Sequence, residues 1–366
     1  MNPRAREVFR VPARILEQST DELAEWMTLH GFPTFHARQA VRWILHGRAN
    51  SFEQMTDLPR ALREQLEREF VLFTSTVASH QVDNDGTQKL LLSLSGGGRI
   101  ECVLMAEDQR RTICLSTQVG CGMGCVFCAS GLKGVERNLT RGEILEQILR
   151  LQQLLPAEER LSHIVVMGMG ESLANLENLI AALDVICSPT GLGISQRRVT
   201  ISTVGLPEKI RKLAALDRQY NLAVSLHAAT AELRDQLVPV NERIGLTEVM
   251  AAADHYFAVT GRQITYEYVL LGGVNDRPSD AQALGDLLAG RKAHVNVIPY
   301  NPVPGLPFER PSEAAVSSFL ARVRGRGVSI TIRKTKGQSI DAACGQLRRR
   351  ADERSMSLVP ESSVGV

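Results

Sequence analysis

Three cysteines, Cys121, Cys125 and Cys128, fall in the stretch Gly120-Cys121-Gly122-Met123-Gly124-Cys125-Val126-Phe127-Cys128, a C-x-x-x-C-x-x-C spacing. Thiols this close in sequence are candidate metal ligands, because the thiolate is a soft donor suited to zinc or iron–sulfur clusters. A structural zinc needs four closed ligands, usually two C-x-x-C pairs, and the fourth would have to come from His163 or another distant residue. Iron–sulfur clusters are normally held by four thiolates, so three would leave one iron open to a substrate or cofactor. The interleaved glycines remove side chains that would crowd a cuboidal cluster, and Phe127 can wall one side from water. Four more cysteines, Cys102, Cys114, Cys187 and Cys344, complete a set of seven. In a chain with no secretion signal they are not expected to form stable disulfides, because the cytosol keeps thiols reduced.

The remaining composition is that of an ordinary globular protein of one large or two unequal domains: 366 residues, 44% of them apolar. Disordered, collagenous and disulfide-scaffold classes are excluded. No run approaches the roughly 18 apolar residues of a membrane span, and the basic N-terminus MNPRAREVFRVPAR lacks the apolar core of a signal peptide, so a cytoplasmic location without membrane association is expected. The net charge of +2 hides a polarised chain. Residues 322–350 carry nine Lys and Arg against one acid, a net +8 that leaves the rest at −6. Such a segment is either a solvated face or a contact for a polyanion.

The elements that would position these residues follow from periodicity. The first 70 or so residues read as helical, with Thr20 as an N-cap, Gly31 as a stop, and HARQAVRWILHG and PRALREQLEREF continuing the pattern. Residues 73–105 turn β-like, with a turn at Asn84-Asp85-Gly86. Beyond residue 112 the strand candidates TICLSTQV, SHIVVMG, RRVTIST, NLAVSLH, QITYEYVLL, AHVNVIPY and VSITIRK alternate mostly with helical stretches. That alternation predicts parallel strands joined by crossover helices, in a full or partial barrel or, alternatively, a doubly wound sheet. Strand candidates end just before Gly170-Glu171, Ser202-Thr203, Ser225 with His227, and Tyr300-Asn301. In α/β barrels sites are built at the carboxyl ends of strands, so these residues are expected to share one mouth. Gly168-Met169-Gly170 is not a dinucleotide fingerprint, because Leu173 takes the place of its third glycine.

The cysteine triplet is the motif of radical S-adenosylmethionine (SAM) enzymes, and its flanks resemble one branch of them. Cys114 stands seven residues before the first cysteine of the triplet, followed by MGMGES at 167–172, RRVTISTVGLP at 197–207, AVSLHA at 223–228, PYNPVPG at 299–305 and IRKTKGQSIDAACGQL at 332–347. With GFPTFHARQAVRWI near residue 30, these segments are similar to the RlmN/Cfr family of RNA adenine methyltransferases over most of the chain. The triplet alone marks the superfamily; Cys114 with Cys344 in DAACGQL marks the family.

The resemblance implies an α/β fold, a partial (β/α) barrel of radical SAM type with a small N-terminal helical accessory domain. The expected divisions are 1–72 for that RNA-contacting domain, 73–106 for a β-rich connector, 107–347 for the barrel and 348–366 for a flexible tail. It implies one 4Fe-4S cluster held by Cys121, Cys125 and Cys128, with one iron left for SAM, and two SAM molecules per turnover. Gly170, Glu171, Ser202, Ser225, Leu226, His227 and Asn301 match SAM contacts. In this family an unreactive adenine ring carbon is attacked by a radical route. One SAM methylates Cys344; a 5′-deoxyadenosyl radical from the other removes a hydrogen from that methyl, which adds to adenine. Cys114 then releases the product by a transient disulfide with Cys344, restored by a cellular reductant. Glu101 matches the proton acceptor; its bland alternative is an exposed strand carboxylate. Cys102 and Cys187 match no role and read as structural.

The implied partners are 23S ribosomal RNA, transfer RNA as a second substrate of some members, and an electron donor such as flavodoxin; a monomer is expected. Arg333, Lys334 and Lys336, just before Cys344, and Arg38, Arg42 and Arg48 in the helical domain are expected to contact RNA phosphates. IRKTKG resembles the branch that methylates adenine C2, although Ser172 stands where that branch usually carries Pro and the following Leu173-Ala174-Asn175 resembles the branch that methylates C8. A non-catalytic RNA-binding protein with a structural metal would also explain the basic segment and the thiols.

Overall fold

The computed structural model describes residues 12–333 and 336–347, so Lys334 and the 348–366 tail of the sequence reading lie outside the described residues. A short strand β1 (Ala13–Arg14) leads into helices α1 (Thr20–Leu29), α2 (Phe35–Leu45) and α3 (Arg60–Glu69), then β2 (Phe70–Val71), which pairs in parallel with β1. The cap of α1 lies one residue earlier than expected. Ser19 Oγ accepts the Glu22 N–H (3.1 Å) and Glu22 Oε2 accepts the Ser19 N–H (2.7 Å), a reciprocal capping box that makes Thr20 the first helical residue.

Strands β3 (Thr76–Val82), β4 (Gln88–Ser93) and β5 (Arg99–Glu107) form an antiparallel meander that ends on β6 (Arg110–Cys114). The TICLSTQV stretch is two strands rather than one: after Cys114 the chain turns away into β7 (Gln118–Gly120), which pairs with β8 (Val135–Asn138). Then come α4 (Arg141–Gln152), β9 (His163–Val166), α5 (Leu176–Cys187), β10 (Val199–Thr203), α6 (Pro207–Ala214) and β11 (Asn221–Ser225). Helices α7 (Ala231–Leu237), α8 (Asn241–Ile244) and α9 (Leu246–Thr260) precede β12 (Ile264–Leu270), followed by α10 (Pro278–Leu288), β13 (Ala293–Pro299), α11 (Glu313–Gly325) and β14 (Ser329–Ile332).

The sheet runs β14-β13-β12-β11-β10-β9-β6-β5-β4-β3, with parallel pairing from β6 to β14. A doubly wound sheet reverses its strand order at a switch point. This one does not, so the partial barrel is the arrangement adopted.

Residues 336–347 span the gap between its two ends. The Gly337 N–H donates to Asp85 Oδ2 (3.1 Å), the Ser339 N–H to Asp83 Oδ2 (2.9 Å) and Lys89 Nζ to the Asp341 carbonyl (3.2 Å). The β3–β4 turn, placed where Asn84-Asp85-Gly86 predicted one, therefore clasps the segment that carries Cys344. Nearby, the Ala129 N–H donates to the Gly345 carbonyl (2.9 Å) and Ser130 Oγ to that of Leu347 (2.8 Å). The main apolar core runs without a break from α1–α3 through β4 and β5 to the barrel helices. A second, smaller cluster around Phe127, Val238, Val269, Ile298 and Tyr300 packs against Cys125, Cys128 and Cys344. No helix among the described residues is long and apolar enough to cross a membrane.

Candidate active site

One cavity at the carboxyl ends of the parallel strands is lined by Cys121, Cys125, Cys128, Gly170, Glu171, Ser202, Ser225, His227 and Cys344, so residues more than 200 positions apart converge as expected. The close approach depends on glycine. A Cβ at Gly168 would stand 2.6 Å from the Leu115 carbonyl oxygen, and one at Gly170, where φ is 104°, 2.7 Å from Gln118. Glu171 is buried and already engaged, accepting the N–H groups of Leu173 (3.0 Å) and Val204 (2.8 Å). It thus ties the β9 end to the β10 end. Ser202 and Ser225 hydroxyls meet at 3.3 Å.

Burial raises the pKa of all three clustered thiols, that of Cys121 to about 12; repulsion from Cys128 adds to the effect at Cys121 and Cys125, and repulsion from Cys344 at Cys128. Ionising them together requires a cationic group among them, which fits an iron–sulfur cluster. Each cubane iron takes its own thiolate, so the three sulfurs need not converge on one point. His163, named as one possible fourth zinc ligand, lines a different cavity from the three thiols and does not complete a site with them.

His227 has a left-handed backbone (φ 62°), and its ring meets Phe127 edge-on at 4.8 Å. The Val269 N–H donates to Nδ1 (3.1 Å), which leaves the proton of the neutral ring on Nε2. Burial, helped by Arg234, lowers the His227 pKa to about 3. In the unfolded chain the ring takes up a proton near pH 6.5 that the folded ring refuses, so this residue costs stability as pH falls below that value. His227→Asn, which tolerates the positive φ, is expected to lose about 2 kcal/mol less stability than the parent between pH 6.5 and 5. Urea titrations at the two pH values measure this difference; an equal loss in both proteins would contradict it.

Two expected contacts lie outside the lining. Leu226 is fully buried, with its N–H on the Glu267 carbonyl (2.9 Å) and its own carbonyl accepting from Arg234 Nε (3.1 Å). Asn301 is buried and accepts from Arg310 Nη1 (3.1 Å).

Cys114 sits buried at the end of β6, a free thiol whose pKa is pushed up to about 12 by burial and then by neighbouring Cys344. Its cross-strand partner on β5 is Val103, so Cys114 shares the inward sheet face with Val103 and Glu101. Glu101 is not the exposed carboxylate of the bland reading. It is 3% exposed and ion-paired with Lys89 Nζ at 2.8 Å, and Lys89 also holds the Cys344 segment. Glu101 lies beside the cavity rather than in its lining, with its N–H on Met169 Sδ (3.4 Å). Cys102 is on the opposite face of β5, wholly buried, and Cys187 ends α5; neither lines the cavity.

Sequence reasoning missed two groups. Glu267, inside the apolar run TYEYVLL, lines the cavity, is buried and accepts from Asn296 Nδ2 (3.0 Å); burial raises its pKa, with Arg333 opposing. A lone carboxylate in a core strand was the available signal, since Glu is rarely buried without a partner. Arg234, fully buried on α7, donates to the carbonyls of Leu226, Val204 and Ser225 and to Asn241 Oδ1, lacing the β10 and β11 ends together. Arg234→Met is expected to cost about 3–5 kcal/mol, read by denaturant titration, because it strands those buried acceptors. Two RNA expectations also shift. Arg333 faces the cavity, its charge favoured by Cys344 first and then Glu267 and Cys114. Arg48 is spent on the carbonyls of Leu155, Pro156 and Glu159, whereas Arg38 and Arg42 are exposed.

A sequential parallel partial barrel with a three-thiol loop at its mouth defines a radical SAM protein, and the model of the radical SAM superfamily matches residues 115–282. The ribosomal RNA large subunit methyltransferase N-terminal domain matches residues 14–72. A probable dual-specificity RNA methyltransferase RlmN from Rhodopirellula baltica is 58% identical, over 93% of this chain and 91% of its own length. The Bacillus subtilis protein of the same name is 44% identical over 91% and 93%. The crystal structure of a radical SAM methyltransferase from Sphaerobacter thermophilus superposes with a TM-score of 0.89 at 41% identity, covering 92% of this chain and 99% of that one. The chain belongs to the RlmN family of radical SAM methyltransferases.

Proposed function

We propose that this protein methylates C2 of a specific adenine in 23S ribosomal RNA, and an adenine beside the anticodon of some transfer RNAs, through an S-methylated Cys344. The observation that carries the reading is that Cys344 lines the same cavity as Cys121, Cys125 and Cys128, with Cys114 buried beside it. The three thiols would hold a 4Fe-4S cluster. When bound, the cluster supplies the electron for reductive cleavage of SAM to a carbon radical.

The chain's own residues do the rest. Cys344, with Arg333 lining the same cavity, takes a methyl group from one SAM as a thiolate nucleophile. It then presents that methyl toward the strand-end residues Gly170, Glu171, Ser202, Ser225 and His227, which would hold the second SAM. Glu101, ion-paired with Lys89, would accept the adenine ring proton while the adduct's unpaired electron passes to a one-electron carrier such as flavodoxin. The Cys114 thiolate attacks Sγ of Cys344; the carbon–sulfur bond breaks with its electron pair on the methylene carbon, which takes a proton, and a disulfide forms. Ser172, whose hydroxyl donates to the Val166 carbonyl (3.2 Å), is the departure from the Pro usual in the C2 branch. The 58% identity to an RlmN relative supports C2 instead.

Anaerobic reconstitution with iron and sulfide tests the class. A brown protein that cleaves SAM when reduced by dithionite or flavodoxin is expected. A colourless protein that retains zinc and leaves SAM intact would sink the reading in favour of a structural-metal RNA binder.

A further inference from the structure

A second cavity, of about 380 Å³, opens at the other end of the barrel. Its wall includes Arg110 at the start of β6, His163 at the start of β9, Arg197 and Arg198 just before β10, Asn221 at the start of β11, and Lys336 beyond β14. Glu107 is the one carboxylate in that lining. Among the described residues no ion pair within 4 Å engages Arg110, Arg197, Arg198 or Lys336, and the three arginines are exposed. Asn221 does not neutralise them: its amide nitrogen donates to the Arg197 carbonyl at 2.8 Å.

This cavity is not isolated from the first. Arg333 lines both. Thr112 and Met105, a cross-strand pair in the basic cavity, share the inward sheet face with Cys114 and Glu101. A path of inward side chains therefore leads from the cations at the amino ends to the thiols nearer the carboxyl ends. The carboxyl-end mouth is taken up by the cysteine loop and the residues that would hold SAM, so a large substrate has the opposite end as its approach.

We propose that the basic cavity is the RNA entry site, in which Arg110, Arg197, Arg198 and Lys336 bind the phosphodiesters flanking the unstacked target adenine while the base passes Arg333 toward Cys344. The proposal rests on the methyltransferase reading and adds where and how the nucleic acid docks. Cations contributed by three separate segments suit successive phosphates along a strand better than one free phosphate. A base can reach an enclosed site only when it is flipped out of its stack, and phosphate contacts on both sides hold it there.

The test uses a fluorescein-labelled 23S ribosomal RNA fragment that the parent enzyme methylates. The double variant R110E/R198E is compared with R243E/R277E, which makes the same charge change at exposed arginines outside both cavities and outside the basic 322–350 segment. Thermal melting verifies that each is folded. The cavity variant is expected to bind at least tenfold more weakly, with a salt slope shallower by about 1.4, the release expected for two single-strand phosphate contacts. The control pair should stay within about twofold. Equal weakening in both pairs, or none in the cavity variant, would overturn the proposal while parental methylation leaves the underlying reading standing. If the parent methylates no RNA, it is the reading that fails. Millimolar inorganic phosphate should not displace the RNA fragment at constant ionic strength; displacement would assign the cavity to a free phosphate instead.

Discussion

Replacement of Cys344 by alanine is expected to abolish RNA methylation, lowering it by more than about 10⁴-fold, the scale seen when a covalent nucleophile is removed. The same variant should still bind its iron and cleave SAM when reduced, because Cys344 is outside the three-thiol loop. That split separates a methyl carrier from a structural thiol: loss of folding or of iron would remove SAM cleavage as well. Cys344 is only partly buried and its loop is held by backbone contacts of Gly337, Ser339, Asp341 and Gly345. Losing one sulfur should therefore leave the loop in place. Assay of methyl groups in RNA and of 5′-deoxyadenosine in the same reaction measures both halves; methylation at more than a hundredth of the parental rate would reject the role.

Cys114→Ala should fail at a different stage. Methylation of Cys344 and attack on the base need no second thiol, but release does. This variant is expected to accumulate protein covalently joined to RNA through Cys344, visible as a band of retarded mobility that nuclease digestion collapses. Cys114 is a buried free thiol whose ionisation is opposed by burial and by Cys344 and favoured by Arg333, so the exchange requires its proton to leave as it attacks. Product turnover at the normal rate, with no adduct, would eliminate Cys114 as the resolving residue.

How much of this was legible beforehand varies with the kind of information each feature needs. The barrel strands followed from alternation of short β-rich runs with helices, because only a helix-length crossover makes strands parallel. Strand order did not: the choice between a barrel and a doubly wound sheet is a matter of which strands pair, seen only in the sequential β6 and β9–β14 ladder. The split of TICLSTQV into β6 and β7 was equally hidden, since it depends on the partner strand β8. Ser19 was missed as a cap because adjacent Ser and Thr are both good caps, and only the position of Glu22 decides between them.

In the site, residues close to the cysteine motif or at strand ends could be proposed from pattern and resemblance. Glu267 and Arg234 could not, because their roles come from burial that only the closed barrel creates. Arg333 looked like one more surface cation in a basic run. It faces the thiols instead, because its N–H continues the β13–β14 ladder to the Val297 carbonyl (2.8 Å).

The central claim is that the methyl carbon reaches adenine C2 by way of Cys344. It is tested most directly by nucleoside mass spectrometry of 23S ribosomal RNA methylated with SAM bearing a fully deuterated methyl group, using enzyme freed of any earlier methyl on Cys344. If a hydrogen is removed from the Cys344-borne methyl, the product is 2-methyladenosine whose methyl holds two deuteriums and one hydrogen, with the third deuterium in 5′-deoxyadenosine. A methyl that keeps all three deuteriums, or a product that elutes as 8-methyladenosine, would contradict the account.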